Sequence, residues 1–275
     1  MDQTPQPVGE KNETEKKKKK KILFFLFIFF IVLALASAAA LIFHLLPPKT
    51  PVPAETAEPA EPAPPTQTQT ETVEEVPRVD NPIDFPALKE QNPDIAGWIR
   101  IPDSVVDYPV MRSSNGVPED FYLNHDFQKN YLFAGCIYMQ GYNSADFSDP
   151  NTILYGHNMA NGSMFNSIRK FSKKDHFDKN RVIYIYTPGH IYTYQIYSAF
   201  TYDDRHLLFA FDFKTEEGYR NFLNLTLNPP SMTRQVLEGA EVTTADRILT
   251  LSTCTSVKNQ RFLLVGVLIH DDLTN

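Results

Sequence analysis

Arg247-Ile-Leu-Thr-Leu-Ser-Thr-Cys254 is the stretch that decides the fold, together with the apolar run from Arg261 to Ile269. The first run alternates and is rich in β-branched residues, which is typical of a strand. A short polar loop, residues 255–260, separates the two runs, so the sequence predicts a β-hairpin. Residues that flank a hairpin loop lie within side-chain reach of each other, and we therefore expect Arg261 beside the Cys254 thiol. A permanent cation at that place can stabilise a thiolate or hold an oxyanion, which indicates covalent catalysis.

Short β-like runs separated by turn residues extend through the rest of the C-terminal part and predict a barrel or a sandwich. Helical periodicity appears before the first run, from Asp84 to Gln91, and between later runs, at Ser163–Ser172 and Thr215–Leu227. We predict a mostly antiparallel β-barrel with an N-terminal helix and inserted helices. The predicted strands are Trp98–Ile101, Val105–Val110, Gly135–Met139, Asn151–Tyr155, Arg181–Thr187, His190–Thr201, Ile248–Cys254 and Arg261–His270.

The N-terminal sequence predicts a membrane anchor. Residues 1–21 end in the lysine run Lys16–Lys21 and form a basic tail, and residues 22–46 contain no Asp, Glu, Lys or Arg. A helix of that length, about 37 Å at 1.5 Å per residue, crosses a hydrocarbon core of about 30 Å. The positive-inside rule places the basic tail in the cytoplasm and the rest of the chain outside a single-pass membrane anchor. A cleaved signal peptide is the alternative, because Ala36-Ser-Ala38 resembles a cleavage site.

Residues 47–81 are rich in Pro, Ala, Glu and Thr and predict a semi-stiff linker that cannot form a core. Residues 82–275 are long enough for one domain with a substantial core. Residues 1–46 carry seven lysines against four acidic residues, so the total charge of −7 leaves −10 for residues 47–275. An acidic domain argues against nucleic acid as a partner, because binding phosphates requires clustered cations.

Two cysteines occur in the whole chain, Cys136 and Cys254. A domain outside the membrane that has so few cysteines does not depend on disulfides, although a Cys136–Cys254 disulfide stays an alternative. Cys136 lies in a predicted buried strand, where cysteine behaves as a small apolar residue. The sequence contains no close cluster of metal-ligand residues, no phosphate loop and no dinucleotide motif, so we predict neither a metal nor another cofactor.

A histidine in Ile153-Leu-Tyr-Gly-His157 is the candidate proton carrier. Gly156 permits a sharp turn after a predicted strand, so His157 is expected at the exposed start of a loop. A cysteine nucleophile needs such a group, because the leaving amine must be protonated and the incoming nucleophile deprotonated. On residue type and spacing alone, Cys254 could equally be structural, His157 an ordinary loop histidine and Arg261 a solvated strand-edge residue.

The combination of Tyr155-Gly-His-Asn158, Thr250-Leu-Ser-Thr-Cys254 and an arginine that opens the next strand resembles the sortases, the cysteine transpeptidases of Gram-positive surfaces. The resemblance covers nearly all of residues 82–270. Within the family, the chain resembles class B. The class B features are Trp98-Ile-Arg-Ile101, Asp107-Tyr-Pro-Val110, Tyr122-Leu-Asn-His-Asp-Phe127, Ala134-Gly-Cys-Ile137 and the helix near 215–227.

This resemblance implies a sortase-type eight-stranded β-barrel in which Cys254, His157 and Arg261 are catalytic. It implies that Cys254 attacks the carbonyl of a threonine in a C-terminal sorting signal, that His157 protonates the leaving group and that Arg261 either hydrogen-bonds the oxyanion or positions the signal. The implied partners are surface proteins that carry the signal and an acceptor amine from a peptidoglycan precursor or a pilin lysine.

Three more residues are candidates for substrate binding. Ser252 lies two residues before Cys254 and therefore on the same face of the strand, while Thr253 and Leu123 are further candidates with ordinary core packing as the alternative. Two enzymatic alternatives share the acylation step, a pilus-polymerising sortase and a cysteine peptidase. A non-catalytic wall-binding module on a stalk is the alternative from a different class.

Overall fold

Eight strands form a closed barrel in the structure, a computed structural model that describes residues 77–275. Along the barrel the order is β5-β1-β2-β3-β4-β8-β9-β6, and β6 pairs back with β5 to close the ring, while the short β7 pairs with β6. The predicted mostly β, eight-stranded barrel is confirmed. The strands are β1 Ile95–Arg100, β2 Asp107–Arg112, β3 Ile137–Met139, β4 Asn151–Tyr155, β5 Val182–Thr187, β6 His190–Asp203, β7 Gln235–Val236, β8 Ile248–Cys254 and β9 Gln260–Leu273.

Helices precede the barrel and interrupt its strand sequence, as predicted. The N-terminal helix α1 begins after Asp84, whose side chain accepts a hydrogen bond from the Ala87 backbone N–H at 3.0 Å and so caps the helix. The helices are α1 Phe85–Gln91, α2 Lys174–Lys179, α3 Leu207–Ala210 and α4 Glu216–Leu227, with 3-10 helices at Phe121–Leu123 and Phe165–Ser172.

The helix predicted at Ser163–Ser172 begins later, at Phe165, and is a 3-10 helix. Phe165, Ile168 and Phe171 are fully buried, and they are spaced three residues apart. With three residues per turn, this spacing places all three side chains in one row against the core. The α-helical periodicity that the sequence shows is therefore satisfied by the tighter helix.

Two buried clusters lie on opposite faces of the central strands. On β8, Leu249 and Leu251 belong to the cluster that fills the barrel, whereas Ile248 belongs to a second cluster under α4. Tyr219, Phe222 and Leu223 are the residues with which α4 joins this second cluster. The alternation of β8 therefore directs odd-numbered side chains inward and Cys254 outward.

Parallel pairing of β4 and β8 positions the candidate site. Tyr155 of β4 pairs with Ser252 of β8, so His157 and Cys254 each follow a paired residue by two positions at the same edge of the sheet. On the other side of β8 the predicted hairpin is present, and Cys254 pairs directly with Arg261 of β9. Strand β8 thus brings Cys254 to the same edge of the sheet as His157, which lies 97 positions earlier in the chain, and Arg261, which lies 7 positions later.

Residues 78–81, which we assigned to the linker, contact the end of the chain. The Val79 backbone N–H donates to Leu273 O at 2.9 Å, and Arg78 donates to Thr274 O at 2.8 Å. The basic tail, the membrane span and the linker up to residue 76 lie outside the described residues. Within residues 77–275, no helix combines the length and the hydropathy that a membrane crossing needs.

Candidate active site

Cys254 ends β8 with an exposed side chain and a free thiol. Cys136 is also free, so the alternative of a disulfide between the two is wrong. The two thiols differ in their surroundings, because burial raises the pKa of Cys136 to about 12, with a further contribution from the Asp126 charge. Cys254 is therefore the cysteine whose position allows it to react with a substrate.

The backbone before His157 is fixed by its neighbours. A side chain on Gly156 would approach the Ile137 Cδ1 atom to 2.5 Å and the Phe165 ring to 2.8 Å, so only glycine fits there. The Gly156 carbonyl accepts a hydrogen bond from Thr253 Oγ1 at 2.7 Å, and the His157 carbonyl accepts one from the Phe165 N–H at 2.9 Å. These contacts hold the turn that leads from β4 to the half-buried His157.

Cys254, His157 and Arg261 line one cleft of about 310 Å³. The three candidate substrate-binding residues, Ser252, Thr253 and Leu123, line the same cleft. The structure therefore brings all six residues selected from the sequence together. No hydrogen bond joins the Cys254 thiol to the imidazole in the described structure, and the His157 ring instead stacks on Phe133, with centroids 5.2 Å apart and planes inclined by 19°.

Thr253 differs from the other two substrate-binding candidates because its hydroxyl already has a partner. Its side chain is 2% exposed and its bond to Gly156 O connects β8 to the turn before His157. Ser252 is also buried, whereas Leu123 is half-buried in the wall of the cleft. Substrate contact by these three residues stays a prediction.

The cleft also contains polar residues that the sequence reasoning missed. His206 donates its Nε2–H to Gln140 Oε1 at 2.6 Å, and its Nδ1 is buried without a partner. Burial lowers the pKa of His206, and the nearby Glu119 charge opposes this effect. The buried Tyr155 hydroxyl also has no partner, and the Tyr155 ring lies 6.0 Å from the His206 ring. One acceptor nitrogen and one hydroxyl are therefore buried behind the cleft surface without hydrogen-bond partners in the described structure.

Tyr138 adds a neutral phenol to the same cleft. Burial raises its pKa to about 12, the Asp120 and Cys254 charges act in the same direction, and Arg261 opposes them. Tyr155, whose ring centroid lies 5.5 Å from that of Tyr138, is the first residue of the Tyr-Gly-His motif, so the sequence did carry a signal for it. His206 follows Asp203-Asp-Arg205, a charged stretch that is typical of a solvated loop, so the sequence carried no signal for it.

A larger cleft of about 1120 Å³ adjoins the first one. Tyr202 and Arg205 line both clefts, and the loop after Cys254, residues 255–260, lines the larger one. Arg205 is held by Asp203 and lies 5.3 Å from the Tyr202 ring centroid. In residues 77–275, no group of three His, Cys, Asp or Glu side chains is close enough to hold a metal ion.

Comparison with known proteins gives consistent matches. The family model described as "Sortase domain" matches residues 99–269. Sortase B of Staphylococcus aureus is 31% identical over 188 residues, which are 67% of this chain and 74% of that protein. The crystal structure of Clostridium perfringens sortase B is 31% identical with a TM-score of 0.60, covering 67% of this chain and 99% of the other. A Staphylococcus aureus sortase B-substrate complex is 30% identical with a TM-score of 0.59, covering 67% and 84%.

Proposed function

This chain belongs to the sortase family of cysteine transpeptidases, and we propose that it cleaves a C-terminal sorting signal after a threonine and transfers the protein to a cell-wall amine. The observation that carries the proposal is the convergence of an exposed thiol, an imidazole and a guanidinium in one cleft. Covalent acyl transfer needs a nucleophile, a proton carrier and a group that stabilises the oxyanion. Cys254, His157 and Arg261 can supply these three functions.

In the first half-reaction, the Cys254 sulfur attacks the threonine carbonyl carbon. A carbon–sulfur bond forms, the carbonyl oxygen becomes an oxyanion, and the carbon–nitrogen bond to the next residue then breaks. His157 takes the thiol proton and gives it to the leaving amine, so the step ends with a neutral thioester and a free amine. The position of both residues at one edge of β4 and β8 supports this assignment.

Arg261 stabilises the oxyanion of the tetrahedral intermediate. Its direct pairing with Cys254 across β8 and β9 supports this role, because paired residues keep their Cβ atoms about 5 Å apart. The guanidinium carries five N–H donors in a planar fork and stays charged at all relevant pH values. Tyr138 is protonated near neutral pH and provides another donor in the same cleft.

In the second half-reaction, an acceptor amine attacks the thioester carbonyl and releases the thiol. The amine loses a proton to His157, and the thiolate regains one, so the enzyme returns to its first state. The larger cleft supports transfer to a second substrate, because it shares Tyr202 and Arg205 with the cleft of Cys254 and offers room for an acceptor. A peptidoglycan precursor or a pilin lysine supplies this amine.

Incubation of the full chain with a sorting-signal peptide, with and without an amine, tests the proposal. We expect a covalent acyl-enzyme detectable by mass spectrometry, amine-dependent turnover, and loss of both in Cys254→Ala. Cleavage that does not depend on the amine would instead favour a cysteine peptidase. Retention of wall binding in Cys254→Ala, without any acyl-enzyme in the unmodified chain, would favour the non-catalytic module.

The proposed location is the cell membrane, with the catalytic domain outside. Residues 22–46 supply the anchor, the lysines before them stay in the cytoplasm, and residues 47 onward hold the domain away from the bilayer. A domain outside the cell would meet both the signal-bearing surface proteins and the cell-wall acceptor. This placement is consistent with the scarcity of cysteines in the chain.

A further inference from the structure

Phe133 is a large aromatic residue that is 63% exposed and that nevertheless has a defined partner. Its ring stacks on the His157 imidazole, with the two ring centroids 5.2 Å apart and the planes only 19° from parallel. Tyr131 and Leu132, the residues before it, are exposed as well. The Phe133 ring covers a face of the proposed proton carrier.

The segment around Phe133 is a tight turn with little freedom. The Gly135 N–H donates to Leu132 O at 2.9 Å, which places Phe133 and Ala134 at the corner of the turn. Gly135 has φ of +56°, and a Cβ there would come within 2.4 Å of the Tyr122 and Leu123 carbonyl oxygens. The next residue, Cys136, donates its N–H to Tyr122 O at 2.8 Å. The turn is therefore fixed against the wall of the cleft.

A buried polar network anchors the preceding part of the same segment. Asp94 is 2% exposed at its side chain and contacts the Lys129 ammonium at 2.9 Å. Tyr122 donates its hydroxyl to Asp94 Oδ2 at 2.8 Å, and Asn92 donates to Phe127 O at 2.7 Å. Both ends of residues 127–135 are thus attached to the barrel, so the position of Phe133 is determined by the fold.

The His157 ring depends on packing for its orientation. Its backbone is held by the contacts of Gly156 and Phe165, but in the described residues the ring nitrogens accept and donate no hydrogen bond. An imidazole without such a bond can rotate about its side-chain torsions, and a flat neighbour restricts that rotation. An aromatic face suits this task, because it packs against neutral imidazole and also attracts the imidazolium that forms during proton transfer.

We propose that Phe133 is a positioning residue for catalysis, whose ring holds the His157 imidazole at the mouth of the cleft that contains the Cys254 thiol. The inference rests on the proposed function, because it assigns the proton transfer to His157. Proton transfer requires the donor and acceptor atoms to meet within hydrogen-bond reach, and small errors of placement reduce its rate strongly.

Phe133→Leu in the full chain tests the inference, with Tyr131→Leu as the matched control. Both changes remove an exposed aromatic ring from the same segment, but Tyr131 packs edge-on against His125 and not against His157. For Phe133→Leu we expect the acylation rate to fall about tenfold while the peptide KM stays within about twofold. Phe133→Trp restores the flat neighbour and is expected to recover most of the rate.

NMR of the histidine-labelled chain gives a readout that does not depend on turnover. The Phe133 ring current is expected to shift the His157 ring protons upfield, and Phe133→Leu but not Tyr131→Leu removes this shift; a His157→Gln spectrum assigns the signals. Equal rates in the two leucine variants would overturn the positioning role, as would a loss that appears only in KM. Failure of the proposed function is a separate result, because the unmodified chain would then form no acyl-enzyme although the ring-current shift is present.

Discussion

Single residues of the candidate site differ in how far the sequence predicts their position. This is seen for Cys254, His157 and Arg261. The hairpin placed Arg261 beside Cys254 because that contact is local, only seven positions apart. His157 was selected for its chemistry and its turn, and its contact with the cleft depends on a strand pairing between residues 97 positions apart. His206 and Phe133 could not be selected, because their environments are created by other segments of the chain: His206 contacts Gln140, and Phe133 stacks on His157.

Arg261→Lys is expected to lower the acylation rate by about 10²-fold or more. An ammonium ion carries the charge but does not reproduce the planar fork of donors, so it cannot hold the oxyanion in the same geometry. Stopped-flow or quenched-flow measurement of acyl-enzyme formation gives this rate. Arg220→Lys on α4 is the control, because Arg220 forms an exposed ion pair with Glu216. Near-normal acylation in Arg261→Lys would contradict the oxyanion role.

Thr253→Val separates support of the active-site backbone from substrate binding. The change keeps the shape of the side chain but leaves the Gly156 carbonyl without its partner, so we expect a loss of about 1–2 kcal/mol in the free energy of unfolding. The peptide KM is expected to change by less than about twofold, because the hydroxyl is already occupied. Denaturant unfolding and steady-state kinetics measure the two effects. A large rise in KM at unchanged stability would restore Thr253 as a substrate ligand.

At the scale of elements, the sequence predicted the strands more reliably than their limits. The predicted Ile248–Cys254 and Asn151–Tyr155 match β8 and β4 completely, since each is a β-branched or apolar run that ends at a turn. The strand predicted at Arg261–His270 continues to Leu273 and pairs with β6 there. This end of the strand is polar and largely exposed, so the apolar pattern of the sequence could not indicate it. Register and pairing come from the partner strand and are not encoded in either run alone.

The segment that carries Phe133 depends on an ionised carboxylate. Burial favours the neutral form of Asp94, but hydrogen bonds from Lys129, Tyr122 and Ser114 and the lysine charge outweigh it, so the pKa of Asp94 is lowered. A carboxyl group with a lowered pKa in the folded state stabilises the fold above its unfolded pKa of about 4. This stabilisation is lost as the pH falls through the folded-state pKa.

Asp94→Asn is therefore expected to lower the free energy of unfolding by about 1–3 kcal/mol at neutral pH. The difference from the unmodified chain is expected to shrink as the pH falls through the lowered folded-state pKa of Asp94, because its carboxyl group is then protonated as well. Urea unfolding at a series of pH values measures this difference. Asp178→Asn, which disrupts an exposed pair with Lys174 on α2, serves as the control with little change in the midpoint. A constant difference at all pH values would contradict the ionic role.

At the scale of the whole molecule, the pattern of short strands and turns predicted a barrel or a sandwich but not how the sheet closes. Closure requires β5 to pair with both β1 and β6, and the β2–β3 and β4–β8 pairs to be parallel. These are long-range contacts, for which the local pattern of polar and apolar residues carries no partner information. The resemblance to a known family supplied this information, which explains why the eight-stranded architecture could be predicted completely.

The proposed anchor leads to a prediction for the full chain. We expect it to remain in the membrane fraction at its full mass of 31.4 kDa, and external protease on intact cells is expected to remove the catalytic domain but not the lysine tail. Immunoblotting with tags at the two ends distinguishes these fragments. A shorter secreted species that begins after Ala38 would instead establish a cleaved signal peptide. Resistance of the domain to protease in intact cells would contradict the orientation.

The contrast between the exposed Cys254 thiol and the buried Cys136 thiol makes the molecule suitable for thiol titration with a reactive dye. Because Cys136 lies inside the fold with a pKa near 12, a thiol-reactive dye in brief contact with the folded chain reacts at a single position. The dye-to-protein ratio then counts the molecules that carry a usable nucleophile, and urea reveals the second sulfur as an internal standard. Preparations of different quality can thus be compared per competent molecule and not per milligram.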